Sequence, residues 1–134
     1  KLNIRRSTTV LITPNITQIV DDRENFSFIF LKIKLLIAKR LHTIGDNSFF
    51  NTAINKVICN RLETIGSNAF KQSYFLEQIN LKNTKTIGDF AFSSCNIKKI
   101  KNDFIEELDQ YQFESNSGIQ HIQMKNLRKI DAET

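Results

Sequence analysis

The sequence has few of the residues that build small specialised scaffolds, since its 134 residues include no tryptophan, one proline and two cysteines. Cys59 and Cys95 stand far apart with no CxxC pattern, so neither a metal site nor a disulfide framework is indicated, and we expect two buried thiols. The longest apolar run, Phe26 to Ala38, contains Lys32 and Lys34 and is shorter than the roughly 20 apolar residues of a membrane helix. We interpret it as a buried strand and predict no membrane insertion.

Motifs of common enzyme and cofactor sites are also missing. No GxxxxGKS/T, GxGxxG, HExxH or GxSxG pattern occurs. Catalysis needs a nucleophile or an acid–base pair in one place, whereas His42 and His121 fall in different phases of the repeat described below. We therefore predict a protein without enzymatic activity, cofactor, metal site or small-molecule substrate.

The composition that is present is typical of one soluble globular domain. Hydrophobic residues make up 40% and charged residues 25% of the chain, which is long enough to bury one core. The net charge of +5 favours acidic partners, provided that the basic residues are clustered.

An Ile-Gly pair followed four residues later by phenylalanine recurs at spacings of 21 and 22 residues. The three matches are Ile44-Gly45 with Phe49, Ile65-Gly66 with Phe70, and Ile87-Gly88 with Phe92. The register continues downstream, with Asp109 and Asp131 in the glycine position. We interpret the glycine as serving a left-handed turn, which aspartate also tolerates. Units of this size cannot bury their apolar side alone, so they must stack into one core.

A second shared element has apolar residues at its first, fourth and sixth positions and ends like a short strand. Its members are Ile54, Val57, Cys59; Leu76, Ile79, Leu81; and Ile119, Ile122, Met124. In the intervening repeat, Ile97 and Ile100 are followed by Asn102, which predicts a shorter or frayed strand. The recurring aromatic residues are predicted to form a ladder in the interior, and they are Phe49, Phe70, Phe92 and Phe113.

The pattern Leu76-x-x-Ile79-x-Leu81 followed by Ile87-Gly88-x-x-Ala91-Phe92-x-x-Cys95 resembles the BspA-like leucine-rich repeat. The resemblance implies an α/β repeat fold, a right-handed solenoid of about five to six repeats with one short parallel β-strand in each repeat of about 22 residues. It implies a single solenoid domain over residues 1–134, with irregular repeats in 1–40 and regular repeats in 41–134. Because neither end shows a polar capping repeat, we expect the domain to be part of a longer array or to be covered by partners at its ends.

Side chains of a strand alternate between its two faces, so the residues between the apolar positions should point outward. These outward residues are rich in lysine and form the predicted partner-binding surface: Lys56, Ile58, Gln78, Asn80, Lys82, Lys99, Lys101, His121, Gln123 and Lys125. In the upstream apolar run, Lys32 and Lys34 are assigned to the same alternating phase and would extend this basic stripe.

The family resemblance implies binding and no catalysis, since BspA-like proteins are known chiefly as surface-associated adhesion and recognition proteins. The basic stripe predicts a partner protein with an acidic surface, attracted over long range. An intracellular scaffold that docks onto a larger assembly, such as the cytoskeleton, is an alternative with the same fold. Nucleic-acid binding is a lesser alternative, because the strand face lacks aromatic residues for stacking bases. The resemblance favours the cell surface, while the sequence also permits an intracellular assembly.

Overall fold

The computed structural model describes residues 9–20 and 32–131 of the chain. Within them the chain winds into coils, and each coil contributes two short β-strands, one to each of two parallel series. The first series consists of β1 (Val10–Ile12), β3 (Leu35–Ile37), β5 (Lys56–Ile58), β7 (Gln78–Ile79), β9 (Lys99–Asn102) and β11 (His121–Met124). The second consists of β2 (Gln18–Ile19), β4 (Thr43–Ile44), β6 (Thr64–Ile65), β8 (Thr86–Ile87), β10 (Glu107–Asp109) and β12 (Lys129–Asp131).

Stacked parallel strands at the spacing of the repeat confirm the predicted solenoid. The first series contains the strand of each repeat that the sequence predicted. The second series was not predicted. It runs through the Thr-Ile pair before each glycine, as in β4 and β6, and two residues are too few to show an alternating pattern. Among the described residues, the single helical element is a 3₁₀ helix, Gln110–Phe113.

The predicted ladder of aromatic residues is confirmed. Ring centroids are 5.1 Å apart for Phe49 and Phe70, 5.4 Å for Phe70 and Phe92, and 5.2 Å for Phe92 and Phe113, and all three pairs are stacked. The first three rings are fully buried, and Phe113 packs half-buried against the same core. These spacings are close to the roughly 4.8 Å between hydrogen-bonded strands. Successive coils can therefore stack their rings and pair their strands at nearly the same distance.

The inward strand positions of the middle repeats are also buried as predicted, and they are Ile54, Val57, Cys59, Leu76, Ile79, Leu81, Ile97 and Ile100. The last repeat differs. Ile122 is 54% exposed, and Ile119 and Met124 are only half-buried. The reason is that β11 lies at the edge of its sheet, and no further coil covers it among the described residues.

Asn102 does not shorten its strand, so the prediction of a frayed strand in that repeat is wrong. β9 spans four residues and the Asn102 side chain is buried. Its amide group donates hydrogen bonds of 2.7 Å to the carbonyls of Leu81 and Thr84, and its side-chain oxygen accepts two backbone amides of the following turn. An asparagine at this inward position therefore satisfies backbone groups that an apolar side chain would leave without partners.

The glycine row is required by close packing between coils, so the expectation of a left-handed turn at these glycines is wrong. A methyl group on Gly66 would lie 2.5 Å from the amide nitrogen of Asp46, and one on Gly88 would lie 2.5 Å from that of Ser67. Among the glycines that the structure describes, none has a positive φ, and left-handed residues instead occur two positions further on, as at Asn68. Only a residue without a Cβ lets neighbouring coils approach this closely.

Aspartate in the glycine position changes the turn. Asp109 has a φ of −89°, outside the left-handed region, and its carboxylate accepts the Tyr111 amide at 2.8 Å, which begins the 3₁₀ helix. One coil earlier, the Ile65 carbonyl accepts the amide of Gly88 at 2.8 Å. The equivalent Ile87 carbonyl accepts the Gln112 side chain instead, also at 2.8 Å. The coil of Asp109 thus lacks the backbone bond that joins the two preceding coils at this position.

Both strand series are interrupted at this boundary, between β7 and β9 in the first series and between β8 and β10 in the second. The aromatic column continues across it, because Phe92 stacks on Phe113 and the Phe92 amide donates to the carbonyl of Gln112 at 2.9 Å. We call this interruption the coil break. The two coils that meet here therefore share no strand ladder in either series, but their rings remain stacked in the aromatic column.

Candidate functional site

Outward side chains of the first strand series lie in two rows that cross the coils. Before the coil break, one row contains Val10, Leu35, Lys56 and Gln78, and the other contains Ile12, Ile37 and Ile58. Beyond it, Lys99 lies beside His121 and Lys101 beside Gln123. The other predicted binding residues follow the strands and are Asn80, Lys82 and Lys125. The structure thus brings the ten predicted residues onto one side of the solenoid, and their binding role stays a prediction.

The basic stripe does not extend upstream through Lys32 and Lys34, so that prediction is wrong. Leu35 pairs with Lys56, which places Lys34 before β3, where its carbonyl accepts the Asn55 amide at 2.8 Å. The outward residues of β3 are Leu35 and Ile37. Because this stretch is apolar on both faces, the alternation of the sequence could not establish its phase. The residues between Phe26 and Leu31, predicted as part of the same strand, lie outside the described residues.

The upstream part of the outward face is therefore apolar. Val10 and Ile12 are 47% and 63% exposed, and the three residues that continue their rows are half-buried. We call these five residues the apolar patch, which consists of Val10, Ile12, Leu35, Ile37 and Ile58. Only Ile58 of this patch was predicted from the sequence as an outward residue. The unbroken apolar composition of the upstream run was the available signal, because a strand that is apolar on both faces presents one of those faces outward.

The lysines of the outward face fall into two groups by their surroundings. Lys82 and Lys125 lie 3.9 and 3.4 Å from the carboxylate of Asp103, whose side chain is only 17% exposed. Lys56, Lys99 and Lys101 have no ion-pair partner among the described carboxylates. These three lysines therefore retain uncompensated charge, and we call them the free lysines.

Basic residues beside the second strand series form ion pairs with neighbouring carboxylates. Lys85 donates a hydrogen bond of 2.8 Å to Glu63 and thereby lowers the pKa of that carboxyl. Lys129 makes an equally short contact with Asp131, which raises the pKa of Lys129. Exposed pairs of this kind stabilise a fold by less than about 1 kcal/mol, but they cancel charge locally. Ion pairs thus offset the charges of Lys85, Arg128 and Lys129 on this side, whereas the free lysines of the first series have no such partner.

A groove of about 450 Å³ opens in the outward face beside the coil break. Three chain segments line it, and they are Lys56–Asn60, Glu77–Asn80 and Lys98–Lys99. Ile58 contributes an outward apolar side chain to the lining, and the inward residues Val57, Cys59 and Ile79 lie buried beneath it. Two of the free lysines, Lys56 and Lys99, belong to the lining, so basic and apolar groups meet in one cavity.

The groove exists because the strand ladders separate there. Earlier in the stack, the amide of Ala38 donates to the carbonyl of Ile58 at 3.0 Å, closing the end of the ladder. No equivalent bond joins Cys59 to the next coil among the described residues, and pairing between β5 and β7 stops at Ile79. β7 and β9 share no ladder, although the Lys98 amide still reaches the Glu77 carbonyl at 3.2 Å.

Neither cysteine provides reactive chemistry in this face. Both thiols are free and buried, as predicted, and burial raises the pKa of each to about 12. A thiol with such a pKa stays protonated near neutral pH and is a poor nucleophile. The described residues contain no group of three or more His, Cys, Asp or Glu side chains that could hold a metal ion.

In the described ranges 9–20 and 32–131, no helix reaches the length and apolar character that crossing a bilayer requires.

Comparison with known proteins identifies the repeat. Residues 42–134 match the family model of the BspA-type leucine-rich repeat region, which contains six copies of the unit. No curated protein and no solved structure matches the chain. The matched segment covers more than half of the chain and includes the aromatic column, the glycine row and the free lysines. From the periodic core, the stacked strands and this match together, we conclude that the chain belongs to the BspA-type leucine-rich repeat family.

Proposed function

We propose that this chain is a non-enzymatic module that binds an acidic partner protein through the outward face of its first strand series. The charge distribution carries the proposal, because Lys56, Lys99 and Lys101 lack ion-pair partners among the described residues while the second series balances its charges. Uncompensated lysines attract an acidic surface across roughly 8 Å at physiological ionic strength. Leucine-rich repeat families generally mediate protein–protein interaction, which supports a binding role.

The proposal can be tested by reversing the charge of the free lysines. In the variant Lys56→Glu, Lys99→Glu, Lys101→Glu, three favourable contacts become repulsive. At about 0.5 kcal/mol for each exposed pair, affinity for an acidic ligand should fall about tenfold or more. A fluorescein-labelled peptide of alternating glutamate and serine serves as the probe, and fluorescence polarisation reports its binding.

The matched control reverses three basic residues outside this face that likewise have no ion-pair partner among the described carboxylates, Arg40→Glu, Arg61→Glu and Lys71→Glu. Its net charge equals that of the test variant, so a general charge effect would weaken both variants equally and contradict the proposal. Wild-type affinity should also decline as salt is added. Stronger binding to a single-stranded oligonucleotide of the same charge would instead favour a nucleic-acid partner. A scaffold that docks onto a larger assembly would use the same face and show the same loss.

A further inference from the structure

We propose that the groove beside the coil break binds one large apolar side chain from an acidic segment of the partner. This inference rests on the proposed function and makes it more specific. The partner segment would carry an aromatic or long aliphatic residue flanked by aspartate or glutamate. The groove would receive the apolar residue, and the free lysines would contact the flanking carboxylates.

The groove has the size and lining of a site for an apolar group. Its volume of about 450 Å³ lies within the range of roughly 300–1,000 Å³ that is typical of ligand pockets. The core residues Val57, Cys59 and Ile79 lie beneath the lining, and burial keeps the Cys59 thiol uncharged. Ile58 lines the groove as well and also belongs to the apolar patch, so apolar surface continues from the cavity onto the neighbouring strands.

The groove is held open by the fold and does not need a ligand to form. Pairing of β5 with β7 stops at Ile79, and β7 shares no ladder with β9. Backbone hydrogen bonds from Lys98 to Glu77 and from Asp103 to Lys82 still join the coils of β7 and β9 on either side of this gap. The stacking of Phe92 on Phe113 keeps the same two coils together at 5.2 Å on the opposite side. A cavity fixed in this way loses little conformational entropy on binding, which favours affinity.

Charge complementarity identifies the partner as acidic. Lys56 and Lys99 line the groove without ion-pair partners, and Lys101 continues the face beyond it. Glu77 also lines the groove, but Lys98 lies 4.0 Å from its carboxylate and offsets its charge. The Lys98 ammonium group also donates a hydrogen bond to the Asn96 side chain, so it contacts both Glu77 and Asn96. An apolar anchor in the groove would therefore place flanking carboxylates beside uncompensated lysines.

The inference is tested with two labelled acidic peptides that differ only at the central residue, which is phenylalanine in one and alanine in the other. Burying the phenylalanine ring should make the first peptide bind about 10- to 100-fold more tightly to the wild-type chain. Gln78→Trp places an indole at the exposed edge of the groove and should abolish this preference. Gln18→Trp makes the same substitution at an exposed position of the second strand series, outside the predicted binding surface, and should leave the preference intact.

The outcomes separate this inference from the proposed function. Equal affinity for the two peptides, with loss of both on reversal of the free lysines, would overturn the groove as an anchor site and leave the acidic partner in place. A phenylalanine preference that survives Gln78→Trp would place the apolar contact elsewhere and also overturn the inference. Failure of both peptides to bind the wild-type chain would contradict the proposed function itself. Urea unfolding of both tryptophan variants shows whether their folds are intact.

Discussion

Replacing Gly88 with alanine tests whether close packing is what requires the glycine row. The added methyl carbon would lie 2.5 Å from the Ser67 amide nitrogen and 2.7 Å from the carbonyl carbon of Gly66. Ordinary contacts begin at 3.4 Å, so the two coils would have to separate by up to about 0.9 Å. Both obstructing atoms belong to the backbone and cannot rotate away. The strain must therefore be relieved by moving one coil against the other.

The expected loss of stability follows from this displacement. Overpacking by one methyl group in a tightly packed site costs about 1–3 kcal/mol. Separation of the coils also weakens the bond of 2.8 Å between the Gly88 amide and the Ile65 carbonyl, and one such bond contributes about 1 kcal/mol. Gly88→Ala should thus lower the free energy of unfolding by about 2–4 kcal/mol. Asparagine has a larger side chain, so Gly88→Asn should cost at least as much.

Urea unfolding followed by far-ultraviolet circular dichroism measures both variants. Asp89→Ala removes an exposed side chain at the next position and serves as the control, with an expected change within about 0.5 kcal/mol. Asparagine tolerates a left-handed backbone far better than alanine does. If Gly88→Asn proved clearly more stable than Gly88→Ala, backbone conformation would be the reason for the glycine, and the packing explanation would be refuted.

Two further changes probe buried polar groups. Asn102→Leu should lower the free energy of unfolding by about 3 kcal/mol or more, because the Thr84 carbonyl and the Ile105 amide lose a buried partner at about 1–3 kcal/mol each. A loss below about 1 kcal/mol in urea unfolding would show that water replaces the side chain. Burial raises the pKa of Cys59 and Cys95 from 9.0 to about 12, so the folded chain keeps protons that the unfolded chain releases, and stability should decline as the pH rises through that window. The decline should be shallower in a Cys59→Ala, Cys95→Ala variant, and equal slopes would contradict the burial of the thiols.

Periodicity made much of the fold predictable. Phenylalanine at a constant distance from each Ile-Gly pair identified the aromatic column, because stacking coils must place equivalent residues above one another. The inward positions of β5 and β7 followed from the same register, since apolar residues recur at the first, fourth and sixth positions of both units. The second strand series escaped prediction, because two residues such as Thr64 and Ile65 carry no detectable period.

The sequence by itself determined that equivalent residues stack, and therefore that the strand-face residues from Lys56 to Lys125 lie on one side. Tertiary structure decided which of those residues keep their charge, because only the approach of Asp103 distinguishes Lys82 and Lys125 from the free lysines. Tertiary structure also decided the role of the glycine row, because the spacing of residues in the sequence does not show how closely a neighbouring coil approaches. The effect of Asp109 depends on that approach as well. Where Asp109 takes the glycine position, both strand series are interrupted, and a groove lies beside this interruption, which becomes visible only when the coils are stacked.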